Sequence, residues 1–249
     1  MGIIIKTKED VEIMREGGRM LADIMREIVS NAKVGNSTLG LDKIANDLCK
    51  KNKVKPAFLG YMDYPATACF GVNDTVVHGI PSKDEILNEG DIISIDMGII
   101  YKDFYSDHAV TVGIGDIPEN AQRLINTTKN CLDTAVEKAT AGNKIGDIGF
   151  TIQSIAELAG FSVVKQMVGH GVGRNLHEDP QIPGFGNRGE GLELKEGMTI
   201  AIECIINEGD EGIKFLDDGW TTKTDDGKLS ALFENSIAIN KNKAEVLTK

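Results

Sequence analysis

Long apolar runs are missing from this sequence, and with them any candidate for a membrane span. The opening Met1-Gly2-Ile-Ile-Ile-Lys is too short for a signal peptide, and Lys6 stands where N-myristoylation after Gly2 requires Ser or Thr. Paired cysteines are missing too. Cys49, Cys69, Cys131 and Cys204 are scattered without a C-x-x-C, which suits reduced thiols in a cytoplasm. Basic clusters are absent and the net charge is −11, so nucleic acid is not expected as a ligand. No low-complexity segment and no Pro/Gly/Ser-rich linker divides the 249 residues, which therefore read as one domain. Gly184-Phe-Gly186-Asn-Arg-Gly189 has the spacing of a dinucleotide loop. It follows Pro183 and opens no helical pattern, so a flexible loop is the better reading, and Glu208 some 20 residues on changes nothing.

What is present is alternation and repetition. Thr7 to Asp10 form a capping box ahead of a helix carrying Met14, Leu21, Met25 and Ile28, with Gly17-Gly18 marking a weak middle or a close contact. A second helix begins near Ser37 or Thr38 and presents Leu41, Ile44, Ala45 and Leu48. After an irregular aromatic stretch, a short strand delivers His78. Ile92 to Tyr101 and Tyr105 to Val112 then read as strands of a hairpin turning at Lys102-Asp103. From Pro118 the pattern restarts with two helices, around Leu124 to Val136 and Ile148 to Ile155. Strand-like segments follow at 161–168, 198–206 and 229–239.

The restart is a repeat at an offset of 107. Ala32, Gly35 and Asn36 return as Ala139, Gly142 and Asn143, while Glu89, Gly90, Ile93 and Ile95 return as Glu196, Gly197, Ile200 and Ile202. Asp96 falls on Glu203. Two helix–helix–strand halves, about 1–115 and 116–249, imply a pseudo-two-fold α+β domain whose acids meet near the axis.

If the hairpin loop has an even number of residues, Asp96 opposes Ala109, Ala109 shares a face with Asp107, and two carboxylates sit together in an apolar sheet. They are either solvated hairpin acids or partners of a shared proton or cation. Glu203 and Glu234 add charges inside apolar runs, and His170 lies in Val-Gly-His-Gly-Val-Gly. Singly, each has an ordinary alternative at a strand surface or in a loop. Together, because burying a carboxylate costs several kcal/mol unless it is compensated, they point to a pair of divalent cations.

The strings Val-Val-His78-Gly-Ile-Pro, Ile-Ser-Ile-Asp96, Ser-Asp107, Val-Gly-His170-Gly-Val-Gly-Arg-Asn-Leu-His177-Glu-Asp-Pro, Thr-Ile-Ala-Ile-Glu203 and Phe-Glu234 occur in this order along essentially the whole chain. In this the sequence resembles the type I methionine aminopeptidases, of the bare-catalytic-domain kind. The resemblance implies the pita-bread (creatinase/aminopeptidase) fold, with helix–helix–strand repeats around a central antiparallel sheet. It implies removal of an N-terminal methionine ahead of a small second residue. Asp96, Asp107, His170, Glu203 and Glu234 would ligate two metals, Asp107 and Glu234 bridging, Asp96 completing one site and His170 with Glu203 the other. His78 and His177 would be catalytic without binding metal. Four carboxylates and an imidazole suit Mn, Fe(II) or Co. Such a pair would activate a bridging hydroxide against the first peptide bond, with Glu203 shuttling the proton.

By the same resemblance Tyr61, Tyr64, Cys69, Leu176 and Trp220 line the pocket for the methionine side chain, although Trp220 alone could be plain core. The chain departs from common family usage at Phe58, where Cys is frequent, and at Leu176, where an aromatic is. It departs also at Cys204, where Pro is usual, and at Asn235, where His is. Phe58 is expected to narrow the pocket. One Na or K ion is implied near Asn73, Thr75 and Ser230, against the alternative of ordinary Asn-Asp turn chemistry. The partners expected are nascent polypeptide N-termini near the ribosome, met by a cytoplasmic monomer that binds neither membrane nor nucleic acid. The rival readings are an aminopeptidase P or prolidase relative, which would be expected to carry a separate N-terminal domain ahead of the repeat with which this sequence opens, and a metal-free interaction module on the same fold. A type II enzyme is disfavoured because only 31 positions separate Glu203 from Glu234.

Overall fold

The computed structural model describes residues 2–249. The first half runs α1 (Lys8–Asn31), α2 (Thr38–Asn52), β1 (Lys55–Pro56), a 3₁₀ turn (Tyr61–Asp63), β2 (Cys69–Val72), β3 (Thr75–Val77), β4 (Ile92–Tyr101) and β5 (Phe104–Gly113). The second runs α3 (Glu119–Lys138), α4 (Ile145–Leu158), β6 (Ser162–Val163), β7 (Gly169–Gly171), β8 (Glu178–Ile182), β9 (Thr199–Asn207), β10 (Ile213–Phe215), β11 (Thr222–Thr224), β12 (Ser230–Ala238) and β13 (Glu245–Val246). The main sheet is antiparallel, in the order β1-β4-β5-β12-β9-β7-β8, with β2 on β4, β6 on β9 and β13 on β12. β10, β11 and β3 form a smaller sheet.

Alternation along the strands decides what each face of the main sheet does. Ile93, Ile95 and Met97 of β4 join Leu21, Ile24, Ile28 and Leu41 in one core beneath α1 and α2. Ile200, Ile202, Cys204 and Ile206 of β9 join residues of α3 and α4 in the equivalent core of the second half. All four long helices therefore cover one face, and Asp96 and Glu203 point from the other.

The 107-residue offset is physical as well as textual. Ala32 and Ala139 are both C-caps, and Gly35 and Gly142 both turn through positive φ, at +87° and +94°. Gly35 donates to the Leu87 carbonyl and Gly142 to that of Leu194; the bridge Ser37–Ile86 recurs as Lys144–Glu193. The offset breaks after β9. The hairpin partner of β4 is β5, directly after it, whereas the β9 partner is β12, reached only after the excursion through β10 and β11.

Two expectations need correction. The strand expected over 161–168 is only Ser162–Val163, because beyond Val164 the chain turns outward through exposed Lys165 and Gln166 before returning at β7. The loop around Gly184–Gly189 is tied to α4. Its Gly186 and Gly189 N–H groups donate to Gln153 and Asp147, and added Cβ atoms at Gly146 and Gly149 would each lie 2.2 Å from its carbonyls. The Gly17-Gly18 pair marks a close contact: a Cβ on Gly18 would meet the Leu247 carbonyl oxygen at 2.3 Å. The capping box at Thr7 and Asp10 is present.

Candidate metal centre and adjoining cavity

Strand register alone assembles the acids. Cys69 pairs with Asp96, Asp96 with Ala109, Ala109 with Glu234, and Glu234 with Glu203, so one row across β2, β4, β5, β12 and β9 carries three carboxylates. Asp107, two residues before Ala109, and His170, paired with Ala201 two residues before Glu203, stand in the next row on the same face. The side chains between them are small: Ala109, Ala201 and Ser236 are all fully buried, and Gly98 faces Asp107. The Ser236 hydroxyl holds this row, accepting from the Asp107 N–H and donating to its carbonyl, each at 2.9 Å. All five residues named as metal ligands are thus brought to one patch.

As protein alone the patch is electrostatically incomplete. Oδ1 of Asp96 and Oε1 of Glu234 are buried and have no hydrogen-bond partner among the described residues. Burial, and then the charges of Asp107 and Glu203, raise the Asp96 carboxyl well above its ordinary range. Glu234 is raised in the same way, by burial and then by Asp107, Glu203 and Asp96. Asp107 is pushed up to about 7 by burial, and Glu203 to about 8 by burial and the Asp107 charge.

His170 makes the pattern sharper. Its Nδ1 lies 2.8 Å from the Gly171 carbonyl, a bond that needs the proton on Nδ1 and leaves a lone pair on Nε2. That Nε2 faces Glu203 Oε1 at 3.6 Å and Asp107 Oδ2 at 3.8 Å. Burial holds the imidazole down to about 4, so it is neutral at physiological pH. A lone pair aimed at two carboxylates is repulsive unless a proton or a metal cation stands between them. Ligand atoms of Asp107, His170 and Glu234 all lie within 4.8 Å of one another. The donor set fits a divalent metal centre: hard oxygens plus one imidazole whose tautomer is fixed by its own backbone bond.

Beside the acids opens a cavity of about 260 Å³. Phe58, Tyr61, Tyr64, Cys69, Leu176 and Trp220, the residues expected around a methionine side chain, all line it. Trp220 makes edge contacts with Tyr64 (5.0 Å between centroids) and His78 (5.9 Å), so it is cavity wall rather than remote core. Sequence reasoning missed Met62, Val77, Met167 and Val168 in this wall. Val77 and Val168 lie within the strings around His78 and His170, a signal that was available. Met62 is 75 % exposed at a φ of +47°, and nothing in its sequence context announces it. Phe58 packs across Gly98, where an added Cβ would lie 3.0 Å from the ring, so its bulk occupies cavity wall next to the Asp107 row.

The two further histidines enter from opposite elements. His78 follows β3 at a φ of +58°, and burial, then His177, brings it down to about 4. His177 comes from the loop before β8. Its ring stands 4.4 Å from that of His170, and its Nδ1 is 2.8 Å from the Tyr61 hydroxyl. Partial burial lowers it as well.

Asn73, Thr75 and Ser230 lie away from this cluster. The Asn73 carbonyl accepts from the Ser230 N–H at 2.9 Å, and the Asn73 side chain ties Asp91 to the Ile92 N–H. Asn207, the β-partner of Ser230, carries a buried amide oxygen with no hydrogen-bond partner among the described residues.

Known proteins are similar to this chain in sequence and fold. A methionine aminopeptidase from Clostridium perfringens is 44 % identical over 246 residues, covering 99 % of this chain and 98 % of that protein. Methionine aminopeptidase 1 of Bacillus subtilis is 42 % identical over 247 residues, covering 99 % of each. The crystal structure of a Thermotoga maritima methionine aminopeptidase superposes with a TM-score of 0.98 at 42 % identity, over the whole of both chains. A Pyrococcus furiosus prolidase, 24 % identical, shares the fold alone, with a TM-score of 0.81 over 99 % of this chain and 65 % of that one. The family model described as metallopeptidase family M24 matches residues 12–241. With its acids in register on one sheet face and relatives of this identity along its full length, the chain belongs to metallopeptidase family M24.

Proposed function

We propose that this chain is a metal-dependent methionine aminopeptidase, removing the initiator methionine from polypeptides whose second residue is small, with all 249 residues forming one catalytic domain. The observation that carries the reading is the joining of two things: a one-face cluster of four carboxylates and an imidazole with unpartnered oxygens, and an adjoining cavity walled by aromatics and sulfur. Thioethers favour contacts with aromatic edges, which suits that cavity to methionine.

Asp96, Asp107, His170, Glu203 and Glu234 would hold two divalent ions, Mn, Fe(II) or Co by their hardness. Asp107 and Glu234 would serve both ions, Asp96 would complete one site, and His170 with Glu203 would complete the other. Such ions, when bound, make water acidic enough to ionise near neutral pH and polarise a carbonyl oxygen. The chain's own groups do the rest. The apolar end of the cavity takes the methionine side chain and sets the first peptide bond over the acids. Glu203, its side chain 16 % exposed and so open to the cavity, takes up the proton of the attacking water and passes it to the leaving amine. His177 is neutral, and with Nδ1 accepting from the Tyr61 hydroxyl its Nε2–H donates to the developing oxyanion. Neutral His78 contacts the scissile amide. The partners are nascent N-termini at the ribosome, met by a cytoplasmic monomer; no helix among the described residues is long and apolar enough to cross a membrane. Asn73, Thr75 and Ser230 hold a Na or K ion, with the unpartnered Asn207 amide oxygen facing the same polar region as support.

The test is a peptide panel with the metal varied anaerobically. Met-Ala-Ser and Met-Gly peptides should be cleaved at the first bond, with activity lost on chelation and regained with metal. Preferential cleavage of Xaa-Pro peptides, or full activity after exhaustive stripping, would overturn the reading.

A further inference from the structure

The loop 173–178 carries Leu176 and His177 into the cavity, and its anchor comes from the opposite end of the chain. Lys6 and Glu178 form an ion pair whose side chains are only 2 % and 3 % exposed. The other Glu178 oxygen accepts the Asn175 N–H at 3.1 Å, so both ends of this carboxylate are committed. Lys6 is itself fixed: its main-chain N–H donates to the Gly197 carbonyl at 2.8 Å, and its ammonium also reaches the Ile4 carbonyl at 3.3 Å. The lysine stem fills the space above Gly173, where an added Cβ would lie 2.3 Å from Lys6 Cε. Gly173 in turn accepts the Tyr105 N–H at 2.7 Å, which ties the start of the loop to β5. Ahead of Lys6, Gly2 and Ile4 line a groove together with His170 and His177.

Lysine is almost never this buried unless paired, and a dry ion pair adds little net stability over apolar residues of the same size. Stability alone therefore does not account for it. What the pair supplies is direction. Among the described residues Lys6 is the cation paired with Glu178, so this pair fixes the backbone at 178, and with it that of His177, one residue earlier. The ring then lies where Tyr61 can meet its Nδ1.

We propose that Lys6 is a positioning residue for His177, acting through Glu178 and Gly173 to hold the imidazole at the distance its role requires. The inference rests on the reading of His177 as oxyanion donor given above. Misplacement by about 1 Å can cost a reaction on the order of a hundredfold in rate.

The test is a double-mutant cycle on the full-length, metal-loaded chain. Lys6→Met keeps the stem and removes the charge. It should lower kcat on a Met-Ala-Ser peptide by about tenfold or more with KM within about twofold and metal content unchanged. Lys6→Arg should recover most of that loss. In a His177→Ala background, the same Lys6→Met change should cost less than about twofold further. An equal fold-loss in both backgrounds makes Lys6 merely structural and overturns the proposal, as does wild-type kcat in Lys6→Met. Should His177→Ala alone turn over at the wild-type rate, the oxyanion reading fails, and that arm reports it separately. If Lys6→Met does not fold, Glu178→Gln, which removes the partner charge at constant shape, replaces it in the same cycle with the same outcomes.

Discussion

Removing the divalent ions should give this protein a stability that falls as pH rises above neutrality. In the folded, metal-free chain Asp107 titrates at about 7 and Glu203 at about 8, and Asp96 and Glu234 lie well above their ordinary values. Unfolded, all four are ionised above roughly pH 5 to 6. Between those limits the folded chain binds more protons than the unfolded one. The stabilisation is then complete below the unfolded pKa and is lost as pH rises through the folded one. The imidazoles act in the opposite sense. His78, His108 and His170 are drawn down to about 4 by burial, so folding releases protons between about pH 4 and 6.5 and the two effects offset each other in acid. Above about pH 7 the folded imidazoles are neutral and the unfolded ones lose their last protons, so the carboxyls increasingly dominate.

The size follows directly. At pH 7.5 Glu203 keeps its proton roughly three-quarters of the time and Asp107 about one-quarter, together about one proton. The unfolded imidazoles hold about 0.3 proton there, so the net is about 0.7 proton, worth about 1 kcal/mol per pH unit before Asp96 and Glu234 are counted. In a chain of this size each kcal/mol moves Tm by about 2–4 °C, so the metal-free Tm should drop by about 2–4 °C from pH 7 to 8. Loaded with Mn, the cluster is already ionised, and ion binding, which displaces protons, strengthens with pH. Calorimetric melts of chelated and Mn-loaded protein from pH 7.0 to 8.5 measure both slopes. A metal-free Tm that stays level or rises over this window refutes the account of the cluster.

His170→Ala should lose bound metal by elemental analysis, whereas His78→Ala should keep it and lose about 10²–10³-fold in kcat; a His78→Ala enzyme with wild-type rate removes that residue from the chemistry. Phe58→Cys or Phe58→Ala should widen the cavity beside Gly98 and change the ratio of methionine to norleucine cleavage; an unchanged ratio shows that Phe58 does not narrow the pocket. Gly18→Ala should destabilise by about 1–3 kcal/mol, since its methyl would meet the Leu247 carbonyl. An unshifted melting temperature would mean that the contact between α1 and the C-terminal segment is loose.

How much was legible beforehand depended on the range of the interaction that decides each feature. The capping box at Thr7, the hairpin register that sets Asp96 opposite Ala109, and the offset equating Asp96 with Glu203 were all readable. They depend on alternation, on turn chemistry and on repetition, each local in the chain. Tertiary structure alone decided that Glu234 falls in register with both Ala109 and Glu203, because β12 reaches its place only after β10 and β11. It alone tied the 184–189 loop to α4 and cut the strand expected at 161–168 to two residues. The pairing of Lys6 with Glu178 and the aim of Tyr61 at His177 belong to the same class. A single charge or hydroxyl carries no mark of a partner more than a hundred residues away, and only the closing of the sheet brings such groups within reach.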